Sequence, residues 1–508
     1  MRLLRFASLF LFAAGVTSAA ENAPFTFPRA TPEAHGVSSA ALLDLVEALE
    51  KRVNEIHSLV VVRRGHVIAE GWWTPYAAEE THTMFSLSKS FTSTAVGLAI
   101  AEGKLKVDDL VTGFFPDELP AMPSANLRAM RVRDLLTMST GHHEADFQGF
   151  PYDAAEGAVK KFLALPVTHK PGTYFVYNTP ATFMLSAIVQ KVTGQTVHDF
   201  LQPRLYAPLG IECATWESNR QGISLGGSGL AVRTEDIARF GQLYLQKGQW
   251  QGRQLVPAAW VEAATARQTS TGSSPTSDWE QGYGYQFWPC RGGFYRGDGA
   301  HGQYCVVLPQ HETVVAITSG TRDMQGVLDI LWEKLVPALQ AASPRPADLA
   351  AHDKLRAKLA RLTLAMPEGY SNGGEQALPV AGKRFVFPKN AREIEALAVT
   401  AMGTGAPGGS KDVALTLTIA GVEQRIVAGF GEWKKGELRS GATTEPVAAA
   451  AAWQGDTCTL RLVRHRTPFA TTYTLRFAGD ELVVDIEQNV GPANQRTLQL
   501  TGKIAPGA

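Results

Sequence analysis

Ser86 and Lys89 stand three positions apart in Thr83-Met84-Phe85-Ser86-Leu87-Ser88-Lys89, the only Ser-x-x-Lys of the 508-residue chain. If a helix begins near Ser86, this spacing puts hydroxyl and amine on one face, roughly 5 Å apart along the axis. A serine hydroxyl is a weak nucleophile until a neighbour takes its proton, and a lysine does so once burial or nearby cations lower its pKa. Two fixed positions match by chance once in a chain this long, so the pair gains weight only from its surroundings. Tyr177 lies in Pro171-Gly172-Thr173-Tyr174-Phe175-Val176-Tyr177-Asn178-Thr179-Pro180, a constrained loop before a helix start. Gly297-Asp298-Gly299-Ala300-His301-Gly302-Gln303 leads into a strand, and its glycines let a backbone approach another strand or a ligand. Each of these also reads, by itself, as packing or a plain turn.

The elements that position these groups follow from periodicity. Residues 38–52 carry Leu42, Leu43, Val46 and Leu49 at helical spacing, and a hairpin over 59–70 turns at Arg63-Arg64-Gly65. From Ser86 to Gly103 the chain is apolar on most sides, which predicts a buried helix. Such a helix opens with polar residues only where they are partnered, which favours a functional reading. A short helix over 132–138 precedes Ser139-Thr140-Gly141-His142-His143, read as a surface loop pair of histidines. Helices are expected over 181–192, 237–246 and 327–339. Residues 282–288, 303–308 and 313–318 read as three consecutive antiparallel strands.

Length predicts two domains. Residues 1–20 resemble a signal peptide, with Arg2 and Arg5 ahead of an apolar run too short to span a bilayer. No later segment suggests a span, so a periplasmic or secreted protein is expected. Residues 21–340 form a mixed α/β domain, 341–379 a linker with a short helical stretch, and 380–508 a small antiparallel β barrel or sandwich. In the last of these, Tyr473, Leu475 and Phe477 face Leu482, Val484 and Ile486 across Ala478-Gly479-Asp480. The 48 acidic and 48 basic side chains leave no net charge, which gives no reason to expect nucleic acid or an anionic membrane as partner. Cys213, Cys290, Cys305 and Cys458 lack C-x-x-C spacing, so no zinc site is expected. In an oxidising compartment, Cys290 and Cys305 on neighbouring strands are expected to form a disulfide worth about 3 kcal/mol. Cys213 and Cys458 are expected to stay free. Gly403-Thr404-Gly405-Ala406-Pro407-Gly408 matches a dinucleotide loop in letters only, because Pro407 and a following strand deny the required helix. Gly226-Gly227-Ser228-Gly229-Leu230 misses a nucleophile elbow by one glycine.

Ser86-x-x-Lys89, Tyr177 and His301-Gly302-Gln303 occur in an order that resembles the serine β-lactamase and penicillin-binding-protein superfamily. The likeness is to its class C-like esterases, D-aminopeptidases and 6-aminohexanoate-dimer hydrolases, over about residues 28–339. Lys104 to Asp109, Val132 to Thr137, Pro171-Gly172 and Ala238-Arg239-Phe240-Gly241 support it. The resemblance implies an antiparallel sheet flanked by helices with an all-helical insertion, and needs no metal or organic cofactor. It implies Ser86 as acylated nucleophile, Lys89 and Tyr177 as coupled proton-transfer groups, and the N–H groups of Ser86 and Gln303 as oxyanion hole. Thr179 stands where a Tyr-x-Asn motif has asparagine. Ala300-His301-Gly302 replaces Lys-Thr-Gly, with His301 either bonding substrate or packing. The missing lysine disfavours β-lactams and favours ester or amide cleavage of a small molecule or short peptide. A non-hydrolysing receptor for peptidoglycan or a β-lactam is the alternative.

Overall fold

The computed structural model describes residues 25–341, 343–370, 382–401, 412–440 and 443–505. The signal segment, part of the expected linker and the Gly403–Gly408 decoy lie outside them. Among the described residues no helix is long and apolar enough to cross a membrane.

Helix α1 (Ser39–Arg52) leads into the hairpin β1 (Ile56–Arg63) and β2 (His66–Trp72), whose turn uses Arg64 and Gly65 at positive φ. The polypeptide then forms α2 (Ser88–Ala101), α3 (Thr179–Thr193) and α4 (Thr234–Leu245) before returning to the sheet. It returns as β3 (Trp288–Cys290), β4 (Phe294–Gly299), β5 (Gln303–Leu308) and β6 (Thr313–Ser319), followed by α5 (Met324–Ile330). The strands run in the order β2-β1-β6-β5-β4-β3, every pair antiparallel. β1, β4, β5 and β6 are buried along their whole length, because helices cover both faces of the sheet. One core holds α2, α3 and α4 against the sheet through Phe91, Phe183 and Phe240. The other holds α1 and α5 against the opposite face through Leu45, Leu49 and Leu328.

Three expectations are corrected here. The strand expected at 282–288 is confined to Trp288–Cys290, and Gly297–Gly299, read as the start of a glycine-rich approach to the next strand, belong to a full strand, Phe294–Gly299. That strand separates Cys290 from Cys305, which are therefore not on neighbouring strands. The Cys290 sulfur faces the α1 side and accepts from Arg296 Nη1 at 3.2 Å, while the Cys305 sulfur faces α4, 3.5 Å from the Ile237 carbonyl. Both thiols are free, as are Cys213 and the buried Cys458. His142 is buried rather than exposed, wedged between Phe147 and Phe162 at 5.1 Å from each ring.

The stretch expected as a linker holds the short helix expected in it and also adds to the core. It contains α6 (Leu349–Leu359), and Leu355, Leu362 and Leu364 are buried in the core under α1. Thr74 N donates to the Leu362 carbonyl at 3.0 Å, and Leu364 N to the Thr74 carbonyl at 2.9 Å.

Ten strands follow, β7 (Arg384–Val386), β8 (Ile394–Ala401), β9 (Val413–Ile419), β10 (Val422–Ala428), β11 (Lys434–Ser440), β12 (Thr443–Gln454), β13 (Thr457–Val463), β14 (Ala470–Ala478), β15 (Glu481–Gln488) and β16 (Thr497–Ile504). Their order is β10-β9-β8-β7-β16-β15-β14-β13-β12-β11, and the two edges meet, so the sheet curls into a nearly closed barrel. The Gln424 side chain bridges the seam, its carbonyl accepting from Arg439 N at 2.8 Å and its amide donating to the Arg439 carbonyl. Tyr473 pairs with Ile486, Leu475 with Val484 and Phe477 with Leu482, the facing set that the alternation predicted.

Candidate active site

Ser86 sits in a tight turn, Phe85–Leu87, that runs directly into α2. Met84 N donates to the Leu230 carbonyl at 2.8 Å, which ties the approach to the turn. Phe85 has φ 48°, a left-handed conformation that a bulky residue adopts only when its surroundings impose it. The strain lies one residue before the serine and presents a half-buried hydroxyl at the open end of a buried helix.

The helix is amply partnered. Ser88 Oγ accepts from Leu230 N, Ser90 Oγ donates to the Gln286 carbonyl, and Thr92 Oγ1 donates to the Gly226 carbonyl. Thus the buried serines around Lys89 anchor the helix. Ser86 and Lys89 are the pair left to face one another.

Lys89 Nζ, 1% exposed, donates to Ser86 Oγ at 2.9 Å, Thr179 Oγ1 at 3.2 Å and the Gly227 carbonyl at 2.8 Å. Burial lowers its pKa to about 7, against the opposing pull of the Asp298 charge. Thr179 reaches the amine because Asn178 caps α3, its Oδ1 accepting from Ala181 N at 2.8 Å, with Pro180 in the first turn. The ring of Tyr177 lies under the amine, 5.0 Å from Nζ to its centroid, and stacks on Trp288 at 5.6 Å. Burial first, and the Asp298 charge second, push the phenol pKa above its usual value, with the Ser86 hydroxyl pulling the other way.

Ser86, Lys89, Tyr177 and Thr179 are thus brought together, whereas the turn residues are arranged differently from expectation. Gln303 starts β5, an inner strand between β4 and β6, and its side chain donates to the Ala300 and Ser319 carbonyls at 3.0 and 2.8 Å. The sheet edge beside Phe85–Leu87 belongs to β4. β3 pairs only with residues 294–296, which leaves Gly297–Gly299 without a strand partner on that side. A Cβ at Gly297 would come 2.5 Å from Ser90 Oγ and from a Leu87 methyl, side chains that would have to move, and one at Gly299 would come 2.0 Å from the Met84 carbonyl, backbone that requires glycine there. Gly302 closes the turn at φ 90°, and His301, at φ 67°, packs edge-on against Phe85 and Phe469 at 5.5 and 5.9 Å. Burial lowers the His301 pKa.

Several contributors escaped sequence reasoning. Gly227 presents its carbonyl to Lys89, from the glycine run noted for resembling an elbow. Asp298 bonds Arg296 at 2.9 Å beside the Trp288 indole and sets the field on both Lys89 and Tyr177. Phe469 comes from the barrel, and no local signal in the sequence links it to residues almost four hundred positions away.

A family model described as Beta-lactamase matches residues 46–332, more than half of the chain, and these residues hold Ser86, Lys89, Tyr177 and the β4 edge. The chain belongs to the beta-lactamase family. Among its relatives, the 6-aminohexanoate-dimer hydrolase of Paenarthrobacter ureafaciens is 28% identical over 321 residues, 58% of this chain and 80% of the relative. A "Putative D-alanyl-D-alanine carboxypeptidase" of Salmonella agona is 22% identical over 36% of this chain, which spans about half of that relative's length, 49%. Among solved structures, "Putative 6-aminohexanoate-dimer hydrolase from Bacillus anthracis" superposes with a TM-score of 0.52 at 20% identity, over 64% of this chain and 89% of the other, a likeness of fold.

Proposed function

We propose that this beta-lactamase-family protein is a serine hydrolase that cleaves a carboxylic ester or amide through an acyl-enzyme on Ser86. The observation that carries the reading is the Ser86–Lys89 contact of 2.9 Å, made by an amine whose pKa burial lowers to about 7. Near neutral pH a large fraction of Lys89 is uncharged, so it accepts the Ser86 proton as Oγ attacks the carbonyl carbon. The developing oxyanion meets the Ser86 amide and the backbone donors of the β4 edge at Gly297–Gly299, in place of Gln303. When the tetrahedral intermediate collapses, the bond to the leaving oxygen or nitrogen breaks and the proton held by Lys89 passes through the Tyr177 phenol to the leaving group. Water then attacks the acyl carbon, its proton returns to the Lys89–Tyr177 pair, and Ser86 is freed. The raised pKa of Tyr177 keeps it a phenol, suited to donate and relay.

The amide-cleaving names of the relatives support this class of substrate. Against β-lactams stands the only guanidinium of β4, Arg296. It is buried and bonded to Asp298, the Asp278 carbonyl and Cys290, and so is not offered to a ligand carboxylate. The test is labelling with a fluorophosphonate probe and turnover of p-nitrophenyl butyrate. Wild type is expected to label at Ser86 and show a burst followed by steady release, and Ser86→Ala to do neither. Near-wild-type turnover by Ser86→Ala refutes the reading, and a single stoichiometric acylation without turnover replaces hydrolysis by the receptor alternative.

A further inference from the structure

The barrel interior is filled unequally along its length. In one part Trp453 stacks on Phe477, which also packs on Phe385, each pair with ring centroids 5.8 Å apart. Elsewhere Ile394, Ile419 and Leu498 border a cavity of about 580 Å³. That volume falls in the range of about 300–1,000 Å³ typical of small-ligand sites.

The polar lining of the cavity is one-sided. It includes Arg392 and Arg464 and no Asp or Glu. Arg464 is balanced by Glu445, Nε to Oε2 at 2.9 Å. Arg392 has no carboxylate partner among the described residues, its Nη2 donating to the Gln495 carbonyl at 2.7 Å. Both guanidiniums act on the phenol of Tyr473, which lines the cavity while only 7% exposed and has no hydrogen-bond partner among the described residues. The phenol and the unpaired guanidinium of the half-buried Arg392 both line the cavity, so they offer a neutral and a charge-assisted donor to a negative oxygen placed there. The apolar wall beside them gives that occupant a hydrocarbon part.

We infer that the barrel cavity binds an amphipathic anion, an unbranched carboxylate whose head group meets Arg392 and Tyr473 and whose chain lies on Ile394, Ile419 and Leu498. The inference does not rest on hydrolysis at Ser86, since none of these residues belongs to that site.

The probes are decanoate and decan-1-ol, titrated calorimetrically into the full-length protein. Decanoate is expected to bind saturably at one site per chain, and decan-1-ol at least about tenfold more weakly, the loss that follows from one charge-assisted hydrogen bond. Arg392→Gln and Tyr473→Phe should each weaken decanoate by a similar factor while leaving p-nitrophenyl butyrate turnover unchanged. Arg392→Lys keeps the charge and should retain most of the binding, which separates loss of the site from loss of the fold. No saturable decanoate binding, equal affinity for the alcohol, or full affinity in both Arg392→Gln and Tyr473→Phe overturns the inference.

Discussion

At Lys89 two forces oppose one another. Burial favours the neutral amine, while Asp298 favours the cation, and the balance falls at about 7. An unfolded lysine titrates near 10.4. The folded state therefore binds fewer protons than the unfolded state between those values, and this group makes stability rise with pH from about 7 to about 10, with its full cost present below 7. The same displacement supports reactivity, because only the neutral amine accepts a proton. Fluorophosphonate labelling of Ser86 is thus expected to rise through a single ionisation near pH 7 and level off above it. Asp298→Asn removes the charge that holds the proton on Lys89, so the midpoint should move to lower pH, with Asp298→Glu staying close to wild type. A midpoint that stays put or moves up in Asp298→Asn would show that Asp298 does not set the basicity of this amine.

Among the elements, β4 does most to shape the site and was least legible. Phe294-Tyr295-Arg296-Gly297-Asp298-Gly299 has two glycines in six residues, and glycine weakens a strand on local grounds. Pairing with β5 overrides that preference, and the glycines are there because α2 and the Phe85–Leu87 turn press on the strand. Missing it as a strand made Cys290 and Cys305 neighbours. By contrast α1, the β1–β2 hairpin, α3 and the Tyr473-to-Ile486 alternation were legible, because each buries one face at a regular period. Ser86, Lys89 and Tyr177 were legible as motifs, whereas Asp298 and Gly227 act through tertiary approach and leave no local pattern. Gly299→Ala tests the close approach. Its Cβ would meet the Met84 carbonyl at 2.0 Å, backbone that cannot rotate away, so the turn holding Ser86 must shift. Labelling is expected to fall by at least about tenfold, more than a loss of stability alone explains if far-UV circular dichroism is unchanged. Full labelling in Gly299→Ala would show that the β4 edge does not shape the site.

At the scale of the whole molecule the barrel is not a detached appendage, because its segment between β13 and β14 docks beside the Ser86 turn. Thr83 N donates to the Arg466 carbonyl at 2.9 Å, Tyr76 Oη donates to the Thr467 carbonyl at 2.9 Å, and Glu80 pairs with His465 at 2.6 Å and Lys435 at 3.0 Å. Glu55, nearly fully buried, is bonded by Arg461 and Asn489 of the barrel. Phe469 then lies 6.1 Å from Phe85 and 5.9 Å from His301, so one wall at the mouth of the Ser86 site comes from the second domain. Removing everything after Leu339 therefore does more than take away a neighbour: it deletes Leu355, Leu362 and Leu364 from the core under α1. At about 2–5 kcal/mol for each large buried aliphatic side chain lost, that chain is expected not to fold. Phe469→Ala asks the sharper question, because it leaves every hydrogen bond of the interface in place. The variant is expected to keep its fluorophosphonate labelling rate and its turnover of p-nitrophenyl acetate, whose acyl group offers the least apolar surface to an aromatic wall. Its KM for p-nitrophenyl esters with longer acyl chains should rise about fivefold to tenfold, the loss of 1–1.4 kcal/mol of apolar contact. Unchanged KM across the acyl series would mean that the barrel props the site without touching the substrate.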